Sequence, residues 1–153
     1  MDAIEERLGY SFKNKSLLEL ALTHKSFSND SINCYERLEF LGDAVLELIV
    51  SKYIFEHFKE SEGRLTHIRS AVVCKETLSQ LVDKLCIKDF IKMGEYERKN
   101  KLFENKSIQA DVVEAIFGAL FLDSDFDTAN EIILRLIKPY VIKAYEGRFF
   151  YDY

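Results

Sequence analysis

A chain of 153 residues has the length of one domain, and its 48% hydrophobic and 31% charged residues place it with ordinary soluble globular proteins rather than disordered ones. The net charge of −5 argues against a uniformly basic nucleic-acid binder, while leaving local basic patches open. One proline and six glycines are few for the turns of a β-sandwich, so an all-helical fold is expected.

Ile4 and Leu8 at helical spacing predict a short first helix over 2–9, stopped by Gly9. Asn14 or Ser16 can cap a second helix through Leu17, Leu18, Leu20 and Ala21, ending near Thr23-His24-Lys25-Ser26, with His24 read as structural. Residues 28–34 form a polar loop whose Asn29, Asp30, Ser31 and Asn33 supply turn chemistry. A long helix is then expected from about 35 to 58. Leu38, Leu41, Val45 and Leu48 make its apolar line, and Phe40, Ala44, Ile49 and Val50 widen it until the helix reads as buried nearly all round. Gly42 within it costs about 1 kcal/mol against alanine, which points to the close approach of another helix, and Gly118 invites the same reading. The two glycines are expected to face each other.

Residues 60–63 break the chain. A helix over 64–73 follows, and Leu78, Leu81, Val82 and Leu85 mark one more. Arg64, His67 and Arg69 suit either phosphate contacts or a solvated face. Residues 94–107 lack helical periodicity and carry Arg98, Lys99, Lys101 and Lys106. They read as a basic loop that clamps phosphates or as a surface excursion. Ser107 can cap the next helix, which is strongly apolar. A last helix over about 127–146 shows Ile132, Ile133, Leu136, Ile137 and Val141, with Pro139 kinking it or starting a new turn. The chain ends on Phe149-Phe150-Tyr151-Asp152-Tyr153.

The chemistry lies in the acidic residues. Glu36, Glu39, Asp43 and Glu47 recur at three- and four-residue steps along one edge of the long helix, and Asp111 and Glu114 share a face of the later one. Such a row is most often a solvated edge. On two strongly apolar helices it can instead gather four carboxylates around one point, and ligands that are all oxygen suit magnesium or manganese. Cys34, Cys74 and Cys86 show no CxxC spacing and read as reduced thiols in a cytosolic protein. The acidic N-terminus does not read as a signal peptide, and the longest apolar run, 115–122, is too short for a bilayer. No GxxxxGK, GxGxxG or HExxH motif supports a nucleotide cofactor or a zinc protease.

Glu36-Arg37-Leu38-Glu39-Phe40-Leu41-Gly42-Asp43 resembles the signature block of bacterial ribonuclease III. Ala110-Asp111 through Glu114-Ala115, Gly118-Ala119 and Leu122-Asp123 is similar to that family's second acidic motif, and Leu22-Thr23-His24-Lys25-Ser26 to a motif upstream. The resemblance covers essentially the whole chain. It implies the helical ribonuclease III endonuclease-domain fold as a homodimer, with 1–148 as catalytic domain. Residues 149–153 would start a linker to a C-terminal double-stranded-RNA-binding domain. It further implies magnesium-assisted hydrolysis of double-stranded RNA, with manganese substituting, to 5′-phosphate and 3′-hydroxyl ends with 3′ overhangs. The setting would be ribosomal, messenger and transfer RNA processing in the cytoplasm, without membrane or nucleotide cofactor.

Carried over residue by residue, Glu39, Asp111 and Glu114 would ligate the metal, and Asp43 and Glu114 would act in catalysis. From their own local charge Arg98, Lys99, Lys101 and Lys106 would contact RNA. Phe40, off the Leu38/Leu41/Val45 line, would either enter a socket on the partner subunit of the implied homodimer or pack in the core, and by the resemblance Glu62 would lie on the active-site side. The family's loop at 94–107 is rich in glycine and arginine, so the lysine and asparagine here depart from type. Three other classes compete. A catalytically dead RNA-binding module is disfavoured by the complete acidic set. A di-iron helix bundle lacks its Glu-x-x-His pairs. A helical interaction protein would leave the carboxylates as coincidence.

Overall fold

Apolar spacing and caps account for the helices of the computed structural model, which describes residues 2–147. α1 (Asp2–Leu8) buries Ile4 and Leu8 and ends at Gly9, whose φ of 75° suits a residue without a Cβ. Asn14 caps α2 (Lys15–Ala21) by accepting from the Ser16 amide, and His24 does the same for the single turn of α3 (Lys25–Ser28) through Ser26. α4 (Glu36–His57) is the long helix expected, and α5 (Glu62–Val72) starts at a Ser61 cap. α6 (Lys75–Ser79), α7 (Leu81–Lys84) and α8 (Glu95–Lys99) are short; α9 (Lys106–Asp123) and α10 (Phe126–Gly147) complete the order.

α4 and α9 form the most extensive helix pair, and the two glycines are the reason. A Cβ at Gly42 would overlap the Glu114 carbonyl oxygen and stand 3.0 Å from the Gly118 nitrogen. One at Gly118 would overlap the Leu38 carbonyl oxygen. Backbone therefore lies directly on backbone, as the glycine spacing implied. α6 and α2 flank α9, and α10 covers α5, α4 and α9.

Two ties hold the shorter pieces to this pair. The Leu22–Ser26 stretch is a clasp. The His24 amide donates to the Lys92 carbonyl and the Lys92 amide to the Leu22 carbonyl, both at 2.8 Å, while the Tyr35 amide donates to Thr23 and fixes where α4 begins. The Gly94 amide donates to Ser26 Oγ at 2.9 Å, setting the start of α8. At the other end of the pair, the Asp123 carboxylate accepts from the Tyr10 hydroxyl (2.7 Å) and from the amides of Lys13 (2.7 Å) and Asn14 (2.9 Å). Tyr10 and the start of α2 are thereby stapled to the end of α9.

Several expectations require correction. α4 is not buried all round: Phe40 is 82% exposed, Phe55 76% and Leu48 56%, and Ala44 lies with them on one open stripe. Residues 94–107 are not an open loop. They fold into α8, a left-handed Lys101 (φ 57°) and a 3₁₀ turn at Leu102–Glu104, pieces too short to show a helical period. Asn105, not Ser107, caps α9, its side chain accepting from the Ile108 amide, and Ser107 sits inside the helix. The helix expected through Leu78 to Leu85 is split at Gln80 into α6 and α7. Pro139 does not end one helix and begin another, since it lies inside α10, which continues past it to Gly147.

All three cysteines are free thiols, Cys34 buried and Cys74 exposed. Among the described residues, no helix is long and apolar enough to cross a membrane. The expected boundary at 148 and the aromatic end at 149–153 lie outside the described residues.

The glycine contact predicts that Gly42→Ala lowers unfolding free energy by about 3 kcal/mol, since neither backbone can yield to an added methyl. Gly63, with open space around it in the first turn of α5, serves as the control. Gly63→Ala should be neutral or gain about 0.5–1 kcal/mol through helix propensity. Urea unfolding of both beside the parent checks this, and equal midpoints for parent and Gly42→Ala would refute it.

Candidate metal centre

The glycine crossing places α4 and α9 so that their acidic edges meet. Glu39, Asp111 and Glu114 each bring a carboxylate oxygen within 4.8 Å of the others, all three half-buried. Asp43, one turn after Glu39, is hydrogen-bonded to Glu114 and completes the set of four. Glu36 lies close enough to raise Glu39 and Asp111 by its charge, whereas Glu47 is exposed farther along α4.

Four carboxyl groups this close cannot all ionise without a compensating cation. Burial first, then the bond to Asp43 and the charges of Asp43, Glu39 and Asp111, push the Glu114 carboxyl up to about 9. Burial and the adjacent Asp111 push Glu39 up to about 7, and burial raises Asp111 as well. In the metal-free protein burial and this crowding therefore favour the protonated form of Glu114 and raise Glu39 and Asp111 in the same direction. Tyr35, buried at the start of α4, has its phenol raised by burial and by the same acidic residues. The cation pulling the other way on both Glu39 and Asp111 is Lys75 at the start of α6. An all-oxygen, crowded, half-buried donor set fits a hard divalent cation of the magnesium class and offers nothing to a metal that prefers nitrogen or sulfur.

The basic residues are distributed differently from the acidic ones. Arg98 donates to the Ile91 carbonyl and lies 5.2 Å from the centre of the Phe103 ring, so it braces the fold. Lys106 pairs with Glu76 at 3.0 Å. Lys99 and Lys101 are exposed. Arg69 donates to Ser51 at 3.0 Å, and Glu62 accepts from Thr66. Phe40 projects from α4 beside a groove of 660 Å³ whose lining includes Leu17, Leu20, Ile32, Leu41 and Leu122. A second groove of 480 Å³, between Leu48, Phe55 and Leu65, continues along the same open stripe.

Lys75 and Tyr35 are the neighbours of the carboxylates that sequence reasoning missed. Tyr35 could have been suspected from its place just before Glu36. Lys75 carries no such signal, because only the packing of α6 on α9 brings it near.

Comparison with known proteins follows the same outline. The Ribonuclease-III-like family model matches residues 14–141. Ribonuclease 3 of Clostridium botulinum is 42% identical over 153 residues, covering 98% of this chain and 66% of that protein. Ribonuclease 3 of Campylobacter jejuni is 45% identical, covering 90% of this chain and 61% of its own length. The chain thus spans just under two-thirds of these curated relatives. A solved nuclease domain of ribonuclease III from Campylobacter jejuni, described for flexibility in a region involved in dimer formation, superposes with a TM-score of 0.86 at 44% identity. It covers 91% of this chain and 96% of that one.

The crowded carboxyls make stability depend on pH. Because Glu39 (about 7) and Glu114 (about 9) bind protons more tightly folded than unfolded, their contribution to the stability of the metal-free protein is full in acid and is lost as pH rises through those values. In chelator, Glu114→Gln should melt higher than the parent near pH 9 and with it near pH 5. Magnesium should raise the melting temperature of the parent at alkaline pH far more than that of the variant. Circular dichroism melts check the ordering; a variant less stable than the parent at alkaline pH would contradict it.

Proposed function

Because the chain belongs to the ribonuclease-III-like family, we propose that it is an endonuclease of double-stranded RNA that acts as a homodimer and hydrolyses phosphodiesters with magnesium, manganese substituting. The observation that carries this reading is the convergence of Glu39, Asp111 and Glu114 from two helices onto one point, with Asp43 bonded to the last of them. Residues 1–148 form the nuclease domain. Products with 5′-phosphate, 3′-hydroxyl and 3′ overhangs, and a role in processing ribosomal and other RNAs in the cytoplasm, belong to the same proposal.

Glu39, Asp111 and Glu114 would hold the divalent cation, each through a carboxylate oxygen. Bound there, the cation supplies a lowered water pKa and neutralises phosphate charge. Glu114, raised in the metal-free protein, would ionise when the cation binds, and Asp43 would orient the attacking water. Lys99 and Lys101, both exposed, would meet phosphates, while Arg98 and Lys106 would join them only by leaving Ile91 and Glu76. Duplex RNA would be recognised by shape and backbone, since its major groove is closed to side chains.

The open stripe of α4 supports the homodimer. Phe40, Leu48 and Phe55 are large apolar side chains in water, and they run along one helix face beside two grooves. A two-fold arrangement presents that stripe to its own copy, with each Phe40 entering the partner's groove.

The parent should cut a long RNA duplex in magnesium, and Glu114→Gln should lose about a thousand-fold or more in rate while still retaining the duplex in a gel-shift assay. A parent that binds duplex but leaves it intact in magnesium or manganese at low salt would overturn the nuclease reading. Phe40→Asp should sediment as a monomer at concentrations where the parent sediments as a dimer; an unchanged sedimentation coefficient would remove Phe40 from the interface.

A further inference from the structure

Lys75 stands at the edge of the carboxylate cluster without belonging to it. It opens α6, and its Nζ donates to Ser107 Oγ across to α9. Ser107, Asp111 and Glu114 occupy positions i, i+4 and i+7 of α9, so that bond holds the ammonium on the face that carries the carboxylates. A second link, Lys106 to Glu76 at 3.0 Å, crosses between the same two helices in the opposite sense and fixes the backbone from which Lys75 projects.

Three other basic side chains are bound elsewhere in the fold. Lys106 has Glu76, Lys88 has Glu104 at 3.0 Å, and Arg98 has the Ile91 carbonyl. Lys75 is exposed, and the bond shown for it is to a neutral hydroxyl, a weaker partner for an ammonium than an anionic oxygen.

We propose that Lys75 receives a non-bridging oxygen of the phosphodiester entering the cluster, exchanging the Ser107 hydroxyl for it. This deepens the nuclease reading above and rests on it. A phosphodiester approaching four carboxylates meets like charge. A flexible cation at the rim offsets part of that repulsion and draws the phosphate toward the cluster. The charge of Lys75 is already at that rim, since its Nζ bonds Ser107, one turn before Asp111 on α9. An ammonium cannot ligate a metal, and its charge opposes the entry of one. A substrate-binding Lys75 therefore predicts opposite signs for metal and RNA.

The test compares the parent with Lys75→Met and Lys75→Arg. Manganese affinity is read by calorimetry without RNA, and kcat and KM are read on an RNA duplex in magnesium. Lys75→Met should lower kcat/KM by about 10- to 100-fold, mainly through KM. It should also bind manganese more tightly, by up to about 5-fold. Lys75→Arg, which keeps the charge, should restore most of kcat/KM. Loss of both metal affinity and cleavage in Lys75→Met would show that Lys75 only pins α6 to α9. Unchanged cleavage in Lys75→Met beside an active parent would make it a bystander; either result overturns the proposal and leaves the nuclease reading standing. A parent that binds manganese yet leaves duplex intact overturns the nuclease reading, and the role of Lys75 falls with it.

Discussion

Backbone resting on backbone at Gly42 and Gly118 is the constraint on which the rest of the molecule depends. The Gly42 contact falls on the carbonyl of Glu114 itself, so the spacing of the helices and the spacing of the carboxylates are one quantity. Side chains of any size at the crossing would spread the helices and disperse the acidic cluster. The glycines cost helix propensity in two places and return a close, dry contact along the most buried helix of the fold. They also force like charges together, which with burial raises Glu39, Asp111 and Glu114, and Lys75 offsets part of this at Glu39 and Asp111.

α4 divides its circumference between two tasks. One side meets α9 and buries Leu38, Val45, Ile49 and Val50. The other leaves Phe40, Leu48 and Phe55 in water beside grooves that run the same way. Because Glu39 and Phe40 are adjacent in sequence, anything that docks on the open stripe lies against the helix that carries half of the acidic site. The Thr23 clasp sets the start of that helix, and through Gly94 it also places α8, so one short motif coordinates two distant parts of the surface.

Much of this was legible from residue spacing. Glycines inside strongly apolar helices announce close approach, and carboxylates at three- and four-residue steps on those helices announce a shared edge; both expectations were met in space. Periodicity failed where it had to. It cannot distinguish an apolar face covered by the same chain from one left open, and so Leu48, with Phe40 and Ala44 beside it, made the helix read as buried nearly all round. Nor can a five-residue helix such as α8 display a 3.6-residue period. Ser107 was the expected cap, but the residue whose side chain reaches the Ile108 amide is Asn105, two positions earlier, and Ser107 lies inside the helix. Lys75 was invisible for a different reason: its meaning comes from a tertiary contact between segments with no local signature in common.

The crossing helices are separated in the chain by four shorter ones, and this sets an order of events during synthesis. α4 emerges first, with its acidic edge and its apolar stripe both lacking partners. Its half of the site has no counterpart until α9 has been made, long after. Contacts of such sequence separation form late, because the intervening loop must be closed before they repay its entropy. Through that interval the nascent chain exposes the apolar surface most prone to stray association. It also remains unable to assemble the acidic centre, so on this fold a truncated chain ending before α9 carries only the Glu39 and Asp43 half of that centre.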